Sequence, residues 1–436
     1  EERKAFILCT PKAKADSFKC GKDSVAGSVS QRACVYCGAR VVLNPITDAF
    51  HIVHGPIGCA SYTWDIRGSL SSGPEIYRNS FSTDLQENDI IFGGEKKLEG
   101  AIDEIVKTSS PKLIFVYATC IVGVIGDDIE AVCKSAAMRH GIRVIPVHSS
   151  GFSGNKSTGY KAACNALLKL MTNDAAPKEK NTVNILGDFN LAGEMWIIKR
   201  YLERMGLKII SKITGDSRAQ EIERAPVASL NLVQCAGSMT FLAHKMEELY
   251  GTPYLKISFF GLEDTRLSIL NAAQITGDPD VMKLAQQFVI EEELKAVKQI
   301  ELYKARIQGK SAAVFVGGGF KAISLIKQFN ELGMKTVMVG TQTGRPEEYE
   351  IIRKIAHDDT VILDDANPAE LERFLKDRGA DILVGGVKER PLAYKLGIAF
   401  CDHNHERKHP LCGYEGAINF AKEVDLTINS PVWRYV

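Results

Sequence analysis

Short β-branched runs, each followed by a glycine-bearing turn, an amphipathic helix and a further β-branched run, recur along the chain, and this alternation argues for an α/β fold with parallel sheets. Parallel strands can be joined only by a crossover that returns to the same end of the sheet, usually a helix. Lys112 to Tyr117 reads as a strand, Asp127 to His140 as a helix and Arg143 to Val147 as the next strand. Acids open that helix, Arg139 and His140 close it as the helix dipole favours, and Gly141 ends it. The unit returns in Val183 to Leu186, Ala192 to Met205 and Lys208 to Ile213, and again in Ala312 to Val316, Phe320 to Leu332 and Lys335 to Val339.

A chain of 436 residues exceeds one ordinary core, and its length argues for about three domains. Asn173 to Asn181 has the composition of a linker, and a long charged helical segment from about Val281 to Ile307 ends at Gly309-Lys310 before a fresh strand. The expected division is therefore three Rossmann-like domains, at residues 1–175, 176–309 and 310–436. Lys and Arg number 54 against 53 Asp and Glu, so the totals imply no basic face and no nucleic-acid partner. No apolar run reaches membrane-spanning length and no signal-like segment heads the visible sequence, which makes a cytoplasmic location, without a membrane partner, the expectation.

Eleven cysteines are too sparse for a disulfide scaffold, which shifts the reading of at least some thiols to metal or redox chemistry. Cys133 and Cys164 fall inside apolar-periodic helical stretches and read as small buried hydrophobes. Cys34, Cys59 and Cys120 each stand in a glycine-punctuated turn where a strand is expected to run out, a place where backbone can approach a metal and give N–H groups to sulfur. With 24 and 60 residues between them, they can meet only through the fold. Structural zinc needs paired knuckles, and only Cys34 and Cys37 form one. Three convergent thiolates fit an iron–sulfur cluster whose last ligand comes from another chain. Spacing alone leaves buried structural cysteines as the alternative.

Cys235 differs in kind. It follows the short run Asn231 to Val233 and precedes an expected helix from Met239 to Leu249, where orphan N–H groups and the dipole stabilise a thiolate suited to metal. A shielded thiol closing the strand is the other reading. Gly317-Gly318-Gly319 after Ala312 to Val316 suggests a phosphate-cradling turn but lacks the full dinucleotide spacing, and no P-loop exists for nucleotide hydrolysis. The segment Cys401 to His409 is rich in metal-ligand side chains, and its alternation with Glu, Arg and Lys reads as an exposed loop. No serine, histidine and acid constellation suggests a hydrolase.

Four stretches carry a resemblance: His54-Gly55-Pro56-Ile57-Gly58-Cys59, Phe81 to Glu87, Phe92-Gly93-Gly94-Glu95-Lys96-Lys97-Leu98 and Ile125 to Glu130. Together with Cys235, Ser238-Met239 and Met246 to Gly251, they resemble the alpha-subunit side of the nitrogenase superfamily, over about Cys34 to Trp433. The resemblance implies three Rossmann-like domains with a metallocluster between them and a second cluster, [4Fe-4S] or larger and fused, at the interface with a beta-type partner. It makes Cys34, Cys59 and Cys120 the interface-cluster ligands and Cys235 the thiolate holding one end of a large iron–sulfur cofactor. Cys37 has no counterpart in the catalytic subunit. Lys388 and Arg67 match basic residues beside the cofactor and its organic acid.

The departures from the catalytic pattern carry more. Where catalytic nitrogenase has a histidine on the heterometal, register places Asn404, flanked by His403 and His405, and a neutral amide is a poor ligand for such a metal. Lys156 stands where the catalytic subunit has glutamine, and Tyr160 where it has a proton-supplying histidine. A phenol with an ordinary pKa of about 10 is a poor proton source at neutral pH. The implied role is the alpha-type subunit of an α2β2 assembly scaffold rather than a turnover enzyme. There an eight-iron precursor of the iron–molybdenum cofactor would receive molybdenum and homocitrate before transfer to apo-nitrogenase. Cys235 would anchor it, with Asn404, Lys388, Arg67, Lys156, His403 and His405 around it. The implied partners are a beta-type scaffold subunit, the reductase iron protein, a precursor donor and apo-nitrogenase. The alternatives are a nitrogenase-like reductase, for example one cleaving carbon–sulfur bonds, and a structural α/β protein with incidental thiols.

Overall fold

The structure is a computed structural model that describes residues 3–9, 18–20, 33–64, 70–73, 79–171, 177–404 and 406–435. Its contacts divide the chain into two compact units, one of Glu1–Arg32, Ala192–Leu207 and Ile257–Val436, the other of Ala33–Leu191 and Lys208–Lys256. The described residues form three sheets, one in the first unit and two in the second.

The first unit is built on a six-stranded sheet in the order Ile7–Leu8, Val361–Asp364, Lys335–Thr341, Ser311–Val316, Ile382–Gly385, Ala399–Asp402. All its pairings are parallel except that of Ile7–Leu8 at one edge. Val314, Phe315 and Val316 are fully buried, as expected of strands covered on both faces. Gly319 opens the helix Gly319–Glu331, and a Cβ there would stand 2.7 Å from the Glu348 side chain, so close helix packing requires this glycine. The helix Glu194–Arg204 also belongs to this unit, where Tyr201 stacks edge-on with Phe288 and bonds Glu415.

The second unit holds two four-stranded parallel sheets of the same topology. One runs Ser80–Ser82, Ala49–His54, Leu113–Ala118, Arg143–His148; the other runs Lys208–Thr214, Glu179–Asp188, Ala228–Val233, Tyr254–Lys256. Expected helices recur within a few residues, as Ile129–His140 with Asp128 capping its start and Gly141 left-handed at its end. The expected linker is partly strand, because Glu179–Asp188 includes its last residues, while residues 172–176 lie outside the described residues.

The segment around Cys34 departs from expectation. No strand end lies there: Val35–Leu43 is a helix with Cys34 as its N-cap. The β-branched run suggests a strand, yet Gly38 serves a helix crossing. A Cβ on Gly38 would lie 2.1 Å from the Lys156 carbonyl oxygen, and one on Gly159 would lie 2.0 Å from that of Val35. Two facing glycines thus let Val35–Leu43 and Lys156–Leu170 approach backbone to backbone, and tertiary packing overrides local propensity.

Candidate metallocluster site

In each sheet, one pair of adjacent strands sends its exits in opposite directions. Such switch points open a crevice at the carboxyl ends of the strands, where α/β folds bind ligands. In the first sheet of the second unit the pair is Ala49–His54 and Leu113–Ala118, and just beyond their ends stand Cys59, in the helix Ile57–Trp64, and Cys120, opening the helix Cys120–Ile125. In the other sheet the pair is Glu179–Asp188 and Ala228–Val233, ending at Gly187 and Cys235. In the six-stranded sheet it is Ser311–Val316 and Ile382–Gly385, followed by Gly317-Gly318-Gly319 and by Gly386 and Lys388.

The fold brings Cys34, Cys59 and Cys120 together. Burial raises the pKa of the Cys59 thiol, and the negative charges of Cys120 and Cys34 push it the same way. Gly151 lies between the other two: a Cβ there would be 3.0 Å from Cys120 Sγ and 3.5 Å from Cys34 Cβ. Its backbone N–H donates to Cys120 Sγ at 3.1 Å. Gly55 is equally constrained, since a Cβ would fall 2.0 Å from Thr119 Oγ1, which donates to the His54 carbonyl at 3.0 Å.

Below these loops His54 is buried, its Nδ1 3.0 Å from Thr83 Oγ1 and its Nε2 3.1 Å from Asp127. Asp127 also accepts from the Gly94 N–H at 3.0 Å, so one carboxylate joins the strand leading to Cys59, the loop after the Cys120 helix and the turn before Glu95–Ser109. Burial lowers the His54 pKa despite this carboxylate.

Among the described residues no three His, Cys, Asp or Glu side chains converge closely enough to hold a single ion. A polynuclear cluster bonds each thiolate to a different iron and needs its ligands farther apart than one ion does. Three thiols within electrostatic reach of one another, two of them against Gly151 and one already accepting from its amide, fit such a cluster.

Cys235 caps the helix Ala236–Tyr250 without a side-chain capping bond. Gly187, at φ +89°, faces it so closely that a Cβ would stand 2.7 Å from Cys235 Cβ. Tyr160 lies within electrostatic reach of Cys235 and Cys37, and Lys156 Nζ stands 6.0 Å from the Tyr160 ring centre. The Tyr160 phenol raises the Lys156 pKa, and burial raises that of Tyr160, making it a poorer proton source than a free phenol.

In the other unit Lys388 is exposed and Asn404 half-buried against Gly386, where a Cβ would come within 2.6 Å of Asn404 Nδ2. The Asn404 N–H donates to Asp402 Oδ1 at 2.8 Å. The exposed loop expected over Cys401 to His409 is found only at its end, where Lys408 and His409 are exposed, and is corrected before it. Cys401 and Asp402 complete the buried strand Ala399–Asp402, and Arg407 pairs in the interior with Glu194 at 3.3 Å. His403 is fully buried, edge-on to Phe260 and Phe420, and burial holds its pKa well below the usual value. Arg67 and His405 lie outside the described residues. Cys133 and Cys164 are core residues, and burial pushes both thiols up to about 12. Gly151 and Gly187 escape the sequence reading; the only signal is a Gly at or just beyond the end of an expected strand.

The family described as "Nitrogenase component 1 type Oxidoreductase" matches residues 34–429. A Clostridium pasteurianum protein named "Nitrogenase iron-molybdenum cofactor biosynthesis protein NifE" is 66% identical over 100% of this chain and 96% of its own length. A Methanosarcina barkeri protein of the same name is 53% identical, over 100% and 97%. Among solved structures, "Nitrogenase Cp1 at pH 5" superposes with a TM-score of 0.90 at 30% identity, covering 100% of this chain and 96% of the other. With a family match across most of its length, curated relatives sharing half or more of its residues, and a fold that superposes end to end, this chain belongs to the nitrogenase component 1 type oxidoreductase family.

Proposed function

We propose that this chain is the alpha-type subunit of a scaffold on which the iron–molybdenum cofactor precursor is matured before transfer to apo-nitrogenase. The supporting observation is end-to-end similarity to relatives named for that cofactor's biosynthesis, joined to a site that keeps the cysteine anchor but lacks the proton-donating histidine of the catalytic pattern. The same features count against the reductase alternative. The three sheets are taken as three Rossmann-like domains.

Cys34, Cys59 and Cys120 would hold a resident [4Fe-4S] or larger fused cluster, completed by a beta-type (NifN-like) subunit in an α2β2 assembly. When bound, such a cluster stores and passes single electrons. Gly151 gives its N–H to Cys120 and leaves room between the thiols. Ile57, Phe92, Val124 and Phe152, exposed on the elements around these thiols, supply apolar surface for that partner. The precursor is cargo. Cys235 anchors it by a thiolate at a helix start, and Lys156 offers an ammonium to an anionic cluster. Lys388 is proposed to meet the homocitrate carboxylates and Arg67 the cofactor itself. Asn404 is the weak ligand that lets the heterometal end exchange, with His403 and His405 beside it in sequence. The reductase iron protein, a precursor donor and apo-nitrogenase complete the expected partners.

Purification with its beta-type partner and metal analysis tests this reading. About a dozen irons per heterodimer are expected, with little molybdenum until reductase and homocitrate are supplied. Substrate turnover by the isolated complex without cofactor transfer would favour the reductase instead.

A further inference from the structure

Cys37 is absent from the catalytic pattern and unused by the proposed function, yet it forms the chain's one Cys-x2-Cys pair with Cys34. The structure places that pair at a helix start. Cys34 is the N-cap of Val35–Leu43, with φ −73° and ψ 172° and no side-chain capping bond, and Cys37 is the third residue of the helix. Side chains three apart at a helix start share a face, with Cβ atoms about 5–6 Å apart. Small backbone and χ adjustments bring such a pair to the roughly 3.5–4.5 Å of a disulfide.

The two thiols are unequal. Cys34 is half-buried; Cys37 is 8% exposed, with the Tyr62 hydroxyl bonded to its sulfur and the Lys156 ammonium within electrostatic reach. Small reagents reach Cys34 first, and Cys37, one helical turn on, stands where it can resolve the adduct formed there. Cys59 and Cys120 are also near Cys34, but they join it across 24 and 85 residues rather than two, and the Gly151 amide holds the Cys120 sulfur in place.

We propose that Cys34 and Cys37 form a reversible disulfide whenever Cys34 carries no cluster. A small-molecule disulfide is the oxidant. The Cys34 thiolate attacks one of its sulfurs, forming a mixed disulfide and releasing one thiolate. Cys37 then attacks the Cys34 sulfur, expelling the second thiolate and closing the ring. Two protein thiols are oxidised and one disulfide is reduced to two thiols, the protons lost by Cys34 and Cys37 passing through solvent onto the two expelled thiolates. The link stores Cys34 in a form that a dithiol restores, away from irreversible oxidation. The disulfide follows from the pair's own placement; its consequence for cluster loading rests on the ligand role of Cys34 proposed above.

The full chain, stripped of iron anaerobically and treated with oxidised glutathione, should lose two thiols and yield one peptide containing an internal Cys34–Cys37 link, both reversed by dithiothreitol. Reconstitution with iron and sulfide should be blocked in the oxidised protein and restored after reduction. Cys37→Ser should load iron as the parent does and, after the same treatment, carry glutathione on Cys34. A Cys34 link to Cys59 or Cys120, or recovery of Cys34 and Cys37 as thiols or as separate glutathione adducts, would overturn the proposal. A Cys34–Cys37 link that leaves iron loading unchanged would support the disulfide and overturn the ligand role of Cys34.

Discussion

Adding one methyl group at Gly159 tests whether the glycine crossing of Val35–Leu43 and Lys156–Leu170 positions the cluster thiols. The new Cβ would stand 2.0 Å from the Val35 carbonyl oxygen, 2.7 Å from the Ala39 nitrogen and 2.8 Å from Gly38 Cα. All three are backbone atoms, so no rotamer change relieves the clash, and ordinary contact near 3.4 Å requires that separation to grow by about 1.4 Å. Overpacking of this kind costs about 1–3 kcal/mol, here at the upper end. Alanine's better helix propensity returns about 0.5–1 kcal/mol, leaving a net loss of about 2 kcal/mol, or a few degrees in Tm. Because Cys34 caps one of the helices, Gly159→Ala should also lower the iron bound after anaerobic reconstitution. Gly100, in the helix Glu95–Ser109 with nothing within 4 Å of its Cβ position, is the control. Gly100→Ala should keep its iron and gain about 0.5–1 kcal/mol of stability. Parent-like melting and iron content in Gly159→Ala would show that the crossing does not position Cys34.

Cys34→Ala, Cys59→Ala and Cys120→Ala should each lower the iron content of the purified heterodimer by about four atoms, while Cys133→Ala, in the core, should leave it unchanged; equal iron in all four would refute the ligand set. Cys235→Ala should lose the cargo signal in electron paramagnetic resonance and keep the resident cluster, so a variant retaining both would remove Cys235 as anchor. Asn404→His should load cargo normally but donate it more slowly to apo-nitrogenase, imidazole being the stronger ligand; unchanged transfer would argue against a weak end. Among the described residues the His403 ring nitrogens have no hydrogen-bond partner, and the folded ring stays neutral, whereas the unfolded one takes a proton near pH 6.5. Stability therefore falls as pH drops below about 6.5, by up to about 1.4 kcal/mol per pH unit from this group. His403→Phe should flatten the acid side of a Tm-versus-pH curve without changing cargo loading, and an unaltered acid slope would refute the buried-neutral assignment.

The strands that deliver Cys59, Cys120 and Cys235 are legible because buried parallel strands read as continuous apolar runs with a glycine at or beyond the end. Leu113–Ala118, buried throughout, is the clearest case. Cys34 is misjudged for the converse reason: Val35, Tyr36 and Gly38 mimic a strand and turn, and the helix depends on Gly159, more than a hundred residues away. Gly151 and Gly187 are invisible for the same cause, since each is required by a cysteine that only the fold brings near. Cys401 to His409 misleads through composition. Arg407 looks like a surface charge, and its burial rests on Glu194, remote in sequence, while Asp402 is buried as the last residue of a strand.

What separates retention from turnover in this fold lies in a few side chains set on a shared frame. A switch-point crevice provides a strand end, a helix start and glycine-permitted closeness, which together suit an anionic sulfur cluster whatever its fate. A catalyst needs firm ligation at both ends and a proton donor matched to neutral pH. Tyr160 has a pKa raised by burial and works against such a donor. His403 is committed to the apolar interior beside Phe260 and Phe420, while its neighbour Asn404 is only half-buried. On the proposed reading, a cluster held firmly by Cys235 and weakly at Asn404 would be kept long enough to be altered and then let go, as maturation requires.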